Sequence, residues 1–214
     1  CRASGSNPAS IPGLMRSLRV VVLGDELLTA SGDSKGLGWL GRVQARLPQG
    51  EDVAFFPLAM VGETTSELLE RWRSEAMPRF TPQTENYLVL ALGAQDVKAQ
   101  VTISRSRLNL ASLLDDALRE GVKVFVVGPT PTGDPETDHE IEHLSAGFED
   151  VVRRRQISYV DCFKPLREHD GWQQETSAHP RGLPGQVGYG LVAWLVLNRG
   201  WFEWLGLTEP QDQS

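Results

Sequence analysis

The chain is poor in cysteine, has no surplus of basic charge and lacks any long apolar run, and each deficit removes a class of protein. Only Cys1 and Cys162 occur, one of them at the terminus, so no disulfide framework can be read from the sequence. A catalytic thiol needs an electropositive, partly exposed setting. Cys162, flanked by Val160, Asp161 and Phe163, reads instead as a small core residue. The formal net charge of −7 and the lack of a basic patch exclude a non-specific nucleic-acid binder, whose footprint is a basic surface. The densest basic run, Arg153-Arg154-Arg155, fits the C-terminal end of a helix, where cations meet the dipole favourably. No stretch approaches the roughly 20 apolar residues that span a bilayer. The expectation is a soluble, cytoplasmic protein with no membrane span, no nucleic-acid partner, no cofactor and no metal; Cys1 leaves a processed lipoprotein or a secreted origin as the other reading.

What is present is enough for one sizeable core: 214 residues, 40% of them hydrophobic. Residues 1–16 are rich in Ser, Pro, Gly and Asn and are set aside as an extension; residues 17–206 form the expected domain and 207–214 a tail. The organising stretch is Val20-Val21-Val22-Leu23, which breaks off into Gly24-Asp25-Glu26. A short apolar run closed by a turn signal reads as a buried parallel strand. Further strands are expected at about 52–60, 86–92, 122–127 and 157–160. Helical stripes lie between them: Leu37, Leu40, Val43 and Leu47; Leu68, Leu69 and Trp72; residues 104–120; and Ile141, Leu144 and Phe148. Residues 164–184 read as irregular, and a last helix covers about 186–198, followed by an aromatic tail. Trp39, Trp72, Trp194 and Trp201 read as core, and Trp172 as the one aromatic placed for a ligand. This alternation calls for a three-layer α/β/α sandwich with about five parallel strands.

The strand ends carry Gly24-Asp25-Glu26, then Val61-Gly62-Glu63-Thr64-Thr65, then Gly93-Ala94-Gln95-Asp96, and the last helix is preceded by Pro184-Gly185-Gln186-Val187-Gly188-Tyr189. In this order the chain resembles the SGNH, or GDSL-type, hydrolases, a flavodoxin-like fold of serine esterases, lipases and carbohydrate acyl esterases. The resemblance covers roughly residues 17–198. It implies a nucleophile after Gly-Asp, oxyanion-hole donors at Gly62 and position 95, and an Asp-x-x-His motif before the last helix. Asp25 and Gly62 match. Glu26 stands where the serine belongs, and a carboxylate attacking an ester would give an anhydride. Gln95 stands for Asn and can still donate, although its extra methylene displaces the donor. For the histidine, a gapless alignment offers Leu183, whereas His179-Pro180 keeps an imidazole at the expense of four extra residues and has Thr176, not Asp, three positions before it. The residues carried forward are Asp25, Glu26 and His179 as catalytic positions and Gly62 and Gln95 as oxyanion-hole positions.

Two motifs compete with this reading. Gly32-Asp33-Ser34 spells the family signature but follows no strand, so it reads as a polar loop entering a helix. His139-Glu140-Ile141-Glu142-His143 fits H-E-x-x-H, yet with Ile141, Leu144 and Phe148 buried its imidazoles fall roughly 160–200° away, towards solvent. The sequence therefore reads as an ester hydrolase by fold that has lost its machinery and keeps a pocket for a small ester or carbohydrate-like ligand. The alternatives are an active hydrolase using Glu26 as base or nucleophile with His179, an esterase working through a loop serine, Ser31 or Ser34, and a zinc hydrolase through His139 and His143. Glu26, at a partly buried turn, must find donors, and those nearest by this alignment are amides near Gly62 and the Gln95 side chain.

Overall fold

The β-branched run Val20-Val21-Val22, followed by Leu23, builds a strand with both faces covered. The computed structural model describes residues 15–211, so Cys1 and most of the extension set aside above lie outside the described residues. Five strands form one parallel sheet: β1 (Ser17–Gly24), β2 (Asp52–Ala59), β3 (Glu85–Ala91), β4 (Lys123–Val127) and β5 (Ser158–Val160), in the order β2-β1-β3-β4-β5. The chain leaves β1 towards one edge and returns to pair β3 on its other side, which makes the β1–β3 boundary a topological switch point. Ligands of open α/β sheets bind there, outside the carboxyl ends of the strands. Gly24 is in register with Ala59 and with Ala91, so three strands end side by side.

Helices cover both faces. They are α1 (Gly38–Gln44), α2 (Thr65–Ala76), α3 (Gln95–Lys98), α4 (Ile103–Arg119), α5 (Pro135–Arg153), α6 (Phe163–Arg167), α7 (Asp170–Ala178), α8 (Gln186–Leu197) and α9 (Trp201–Leu205). Because successive residues of a strand point to opposite faces, Val20 and Val22 join Trp39, Tyr189 and Val196 in one core. Val21 and Leu23 join Trp72, Leu114 and Phe148 in the other. The expected five-stranded parallel α/β/α architecture is the observed one. The basic run ends α5 as expected: Arg153 and Arg154 pair with Glu149 and Asp150 one turn back, and Arg155 reaches Asp115 on α4.

Several local expectations are corrected. Residues 164–184 contain the end of α6 and the whole of α7, whose inner face offers only Trp172 and Thr176, too sparse a stripe to be read as periodic. The aromatic tail is α9. Trp194 is 59% exposed, because α8 is apolar all round and its sequence does not say which side faces out. The two edges of the domain pack together. Arg16 donates to Glu85 and to the carbonyls of Leu205 and Gly206, and Leu207 is buried against the core.

Candidate active site

The turn after β1 is a 3-10 segment, Glu26–Thr29, capped by Asp25, whose Oδ1 accepts the Leu27 amide at 3.1 Å. Asp25 faces inward. Its carboxylate fills the space beside Gly93, where a Cβ would lie 2.0 Å from Oδ2, so any larger residue there would displace the Asp25 side chain. Burial first, and the Glu26 charge second, push the Asp25 carboxyl up to about 6. Glu26 faces outward, half-buried, into the crevice.

There it meets both expected donors. Glu26 Oε2 accepts the Gly62 amide at 3.0 Å, and Oε1 accepts Gln95 Nε2 at 3.1 Å. Each donor is fixed from behind. Gly62 has φ of +75°, the left-handed region that glycine enters without strain, and this belongs to the turn that presents its N–H to the crevice. The next residue, Glu63, is buried in an ion pair with Arg71 of α2, which also donates to the carbonyl of Leu58 at the end of β2. Thr64 closes the loop by capping α2 in a capping box with Glu67. Gln95 opens α3, and its neighbour Asp96 is 2% exposed and accepts the Thr65 amide, the Thr65 hydroxyl and the Ser106 hydroxyl at 2.5 to 2.8 Å. Asp96 thus ties the Gly62 loop and the Gln95 turn into one frame, a role visible beforehand only as an acid following Gln95.

The other wall departs from the triad pattern. A cleft of about 290 Å³ is lined by Asp25, Glu26, Gln95, Lys98, Trp172, Arg181 and Leu183, among others. Leu183 is buried in it. His179, one of the three catalytic candidates, does not line this cleft. It ends α7, its Nδ1 accepts the Arg181 amide at 3.1 Å, and it lines an adjoining hollow with Gly32 and Glu175 that shares Leu183 and Pro184 with the cleft. Thr176 turns inward and donates to the carbonyl of Trp172. The reason is Glu175, whose carboxylate accepts the amides of Gly185, Val187 and Gly188. It caps α8 immediately after Pro184 and leaves Leu183 as the residue at the crevice. Trp172 forms part of the cleft lining but is 2% exposed, with its indole donating to the Pro131 carbonyl at 3.3 Å.

The competing motifs are also placed. Asp33 accepts the amides of Lys35, Leu37 and Gly38 and two bonds from Arg42, which holds its carboxyl well below the usual carboxylate range. The literal Gly32-Asp33-Ser34 is therefore a staple at the start of α1, and Ser34 points to Gln186. His139 and His143 are exposed on α5, edge to face with centroids 4.7 Å apart, and no group of three metal-ligating side chains occurs among the described residues. Cys162 is fully buried, and burial pushes its thiol up, away from reactivity.

A glycine amide and a side-chain amide converging on the residue after Gly-Asp, at the switch point of a 2-1-3-4-5 sheet, match the pattern of one family. Residues 22–191 match the GDSL-like Lipase/Acylhydrolase family. The chain belongs to that family. Among proteins of known activity, the esterase TesA of Pseudomonas aeruginosa is 26% identical over 175 residues, covering 77% of this chain and 83% of that one. Solved structures agree on the fold. A lipase/acylhydrolase from Enterococcus faecalis superposes with a TM-score of 0.69 at 22% identity, over 92% of this chain and 100% of that chain. A catalytic mutant of an acetylxylan esterase from Geobacillus stearothermophilus gives 0.74 at 15% identity, over 92% and 99%. Among the described residues, no helix is long and apolar enough to cross a membrane.

Proposed function

We propose that this GDSL-type protein does not hydrolyse esters, and that its strand-end cleft binds a small polar ligand without cleaving it. The observation that carries the reading is Glu26: at the position of the family's serine it directs its carboxylate onto Gly62 and Gln95, the donors that would otherwise receive a substrate oxyanion. A carboxylate there competes with any oxyanion for the same two N–H groups, and it is a poor acyl acceptor. The other wall supports the same conclusion. A general base must stand within hydrogen-bond reach of the proton that it takes, or one water away; the cleft offers Leu183, whereas His179 lines a neighbouring hollow with Nδ1 already engaged. That placement favours binding over a hydrolase in which Glu26 works with His179.

The test is turnover of p-nitrophenyl acetate and of acetylated xylose by purified wild-type protein and the Glu26→Ala variant. The expected result is a rate at buffer background in both. Turnover by the wild type above that background would overturn the proposal, and its loss in Glu26→Ala would assign the reaction to Glu26.

A further inference from the structure

The charges of the cleft are arranged by depth. At the floor stand Asp25, satisfied by its own turn, and Glu26, held by Gly62 and Gln95. At the rim stand Lys98, at the end of α3, and Arg181, after α7; both are exposed and line the cleft, and neither makes an ion pair or a side-chain hydrogen bond among the described residues. The fifth charge, Asp134, is occupied as the cap of α5, where it accepts the Thr137 amide and hydroxyl. Arg42, Arg71 and Arg155, in contrast, are each committed to a carboxylate.

We infer that the cleft recognises a polyhydroxy carboxylate of about monosaccharide size, with its carboxylate at Lys98 and Arg181 and a hydroxyl donating to Glu26. This rests on the binding function proposed above. A carboxylate offers about four lone-pair sites, and Glu26 has given one on each oxygen to its donors, so it retains acceptor capacity for a ligand O–H. A bare carboxylate would gain the cations but meet the Glu26 charge; a neutral sugar would reach Glu26 but leave both cations unused. Only a molecule carrying both groups uses floor and rim together. Guanidinium favours a carboxylate in a bidentate arrangement, and ammonium serves as a point charge beside it. A cavity of about 290 Å³ lies at the small end of ligand-pocket sizes, suited to a single sugar ring.

The test is an NMR titration of the full chain with D-glucuronate, D-glucose, acetate and L-serine. The expected result is glucuronate binding at least tenfold tighter than any of the other three, with amide shifts at Gly62, Gln95 and Arg181. Lys98→Met and Arg181→Met should each weaken glucuronate at least fivefold while leaving glucose unchanged; both side chains are exposed, and unchanged melting temperatures would confirm folding. Glucose, acetate or serine binding as tightly as glucuronate, or glucuronate affinity unaffected in both variants, would overturn the inference. The ester assay on the same samples separates the two claims. Ester turnover alongside glucuronate selectivity overturns only the non-hydrolytic reading, whereas no turnover and no selectivity overturns only this inference.

Discussion

On the β1–β3 side of the cleft, the Gly62 amide and the Gln95 side chain converge on Glu26, while on the α7–α8 side Leu183 stands at the crevice and the His179 imidazole accepts a loop amide. The difference follows from what holds each wall. The donor wall is also structural: Asp96 bonds across α2, α3 and α4, Arg71 ties the Gly62 loop to the strand ends, and Asp25 occupies the space beside Gly93. Losing those contacts would cost stability whether or not the site hydrolyses anything. The opposite wall is held by Glu175 capping α8 and by Trp172, and neither needs a histidine or its aspartate. On the non-hydrolytic function proposed above, residues that serve only chemistry are free to change, and Glu26 and Leu183 stand where such changes would fall.

The largest expected effect lies on the donor wall. Arg71→Met leaves the buried Glu63 carboxylate unpaired, and breaking a buried pair from one side costs about 3–5 kcal/mol. Urea unfolding should show that loss, with the Gly62 amide resonance broadened or shifted; a loss below about 1 kcal/mol would mean that the loop is not held by this pair.

Asp25 gives an intermediate effect with a defined pH window. Its carboxyl is raised from 3.8 to about 6 in the folded protein, so between those values the folded state binds more protons than the unfolded one, and stability falls as pH rises. Below about pH 3 both states are protonated and the penalty vanishes; above about pH 7 it is fully present. Asp25→Asn should therefore stabilise the protein by about 1–3 kcal/mol at pH 7.5 and by close to nothing at pH 3. A stabilisation of equal size at both pH values would refute the account of Asp25.

The smallest effect is expected at His179. Its Nδ1 accepts one partly exposed amide bond, so His179→Ala should cost no more than about 1 kcal/mol in thermal unfolding, and the resonances of Gly62 and Gln95 should not move. Displacement of those resonances would bring His179 back into the site.

Much of this was legible in the sequence. β1 could be read because four apolar residues run to a Gly-Asp turn; Gly62 and Gln95 were singled out only through the family resemblance, and both donate to Glu26. The contacts of Glu26 followed from the requirement that a carboxylate at a half-buried turn find N–H donors. What could not be read depends on tertiary contact alone. Glu175 lies ten residues before Gly185, with nothing local to mark it as the cap of α8, and without that cap the choice between Leu183 and His179 stays open. Asp33 is marked in the sequence as a loop residue that follows no strand, but its bond to Arg42 is not legible there, since the two are nine residues apart across a helix start. α7 is not legible because its buried face is one tryptophan and one threonine, and the exposure of Trp194 is not legible because a helix that is apolar on every side does not declare its inner face.

The central claim is that Glu26 occupies the two donors of the family's oxyanion hole. Its most direct test is the hydrogen-bond coupling between the Gly62 amide nitrogen and the Glu26 carboxyl carbon in ¹⁵N,¹³C-labelled protein, together with the Gly62 amide proton shift in Glu26→Ala. The account expects a measurable coupling in the wild type and an upfield move of the Gly62 amide proton in the variant. No coupling, with a Gly62 resonance indifferent to the loss of Glu26, would contradict it.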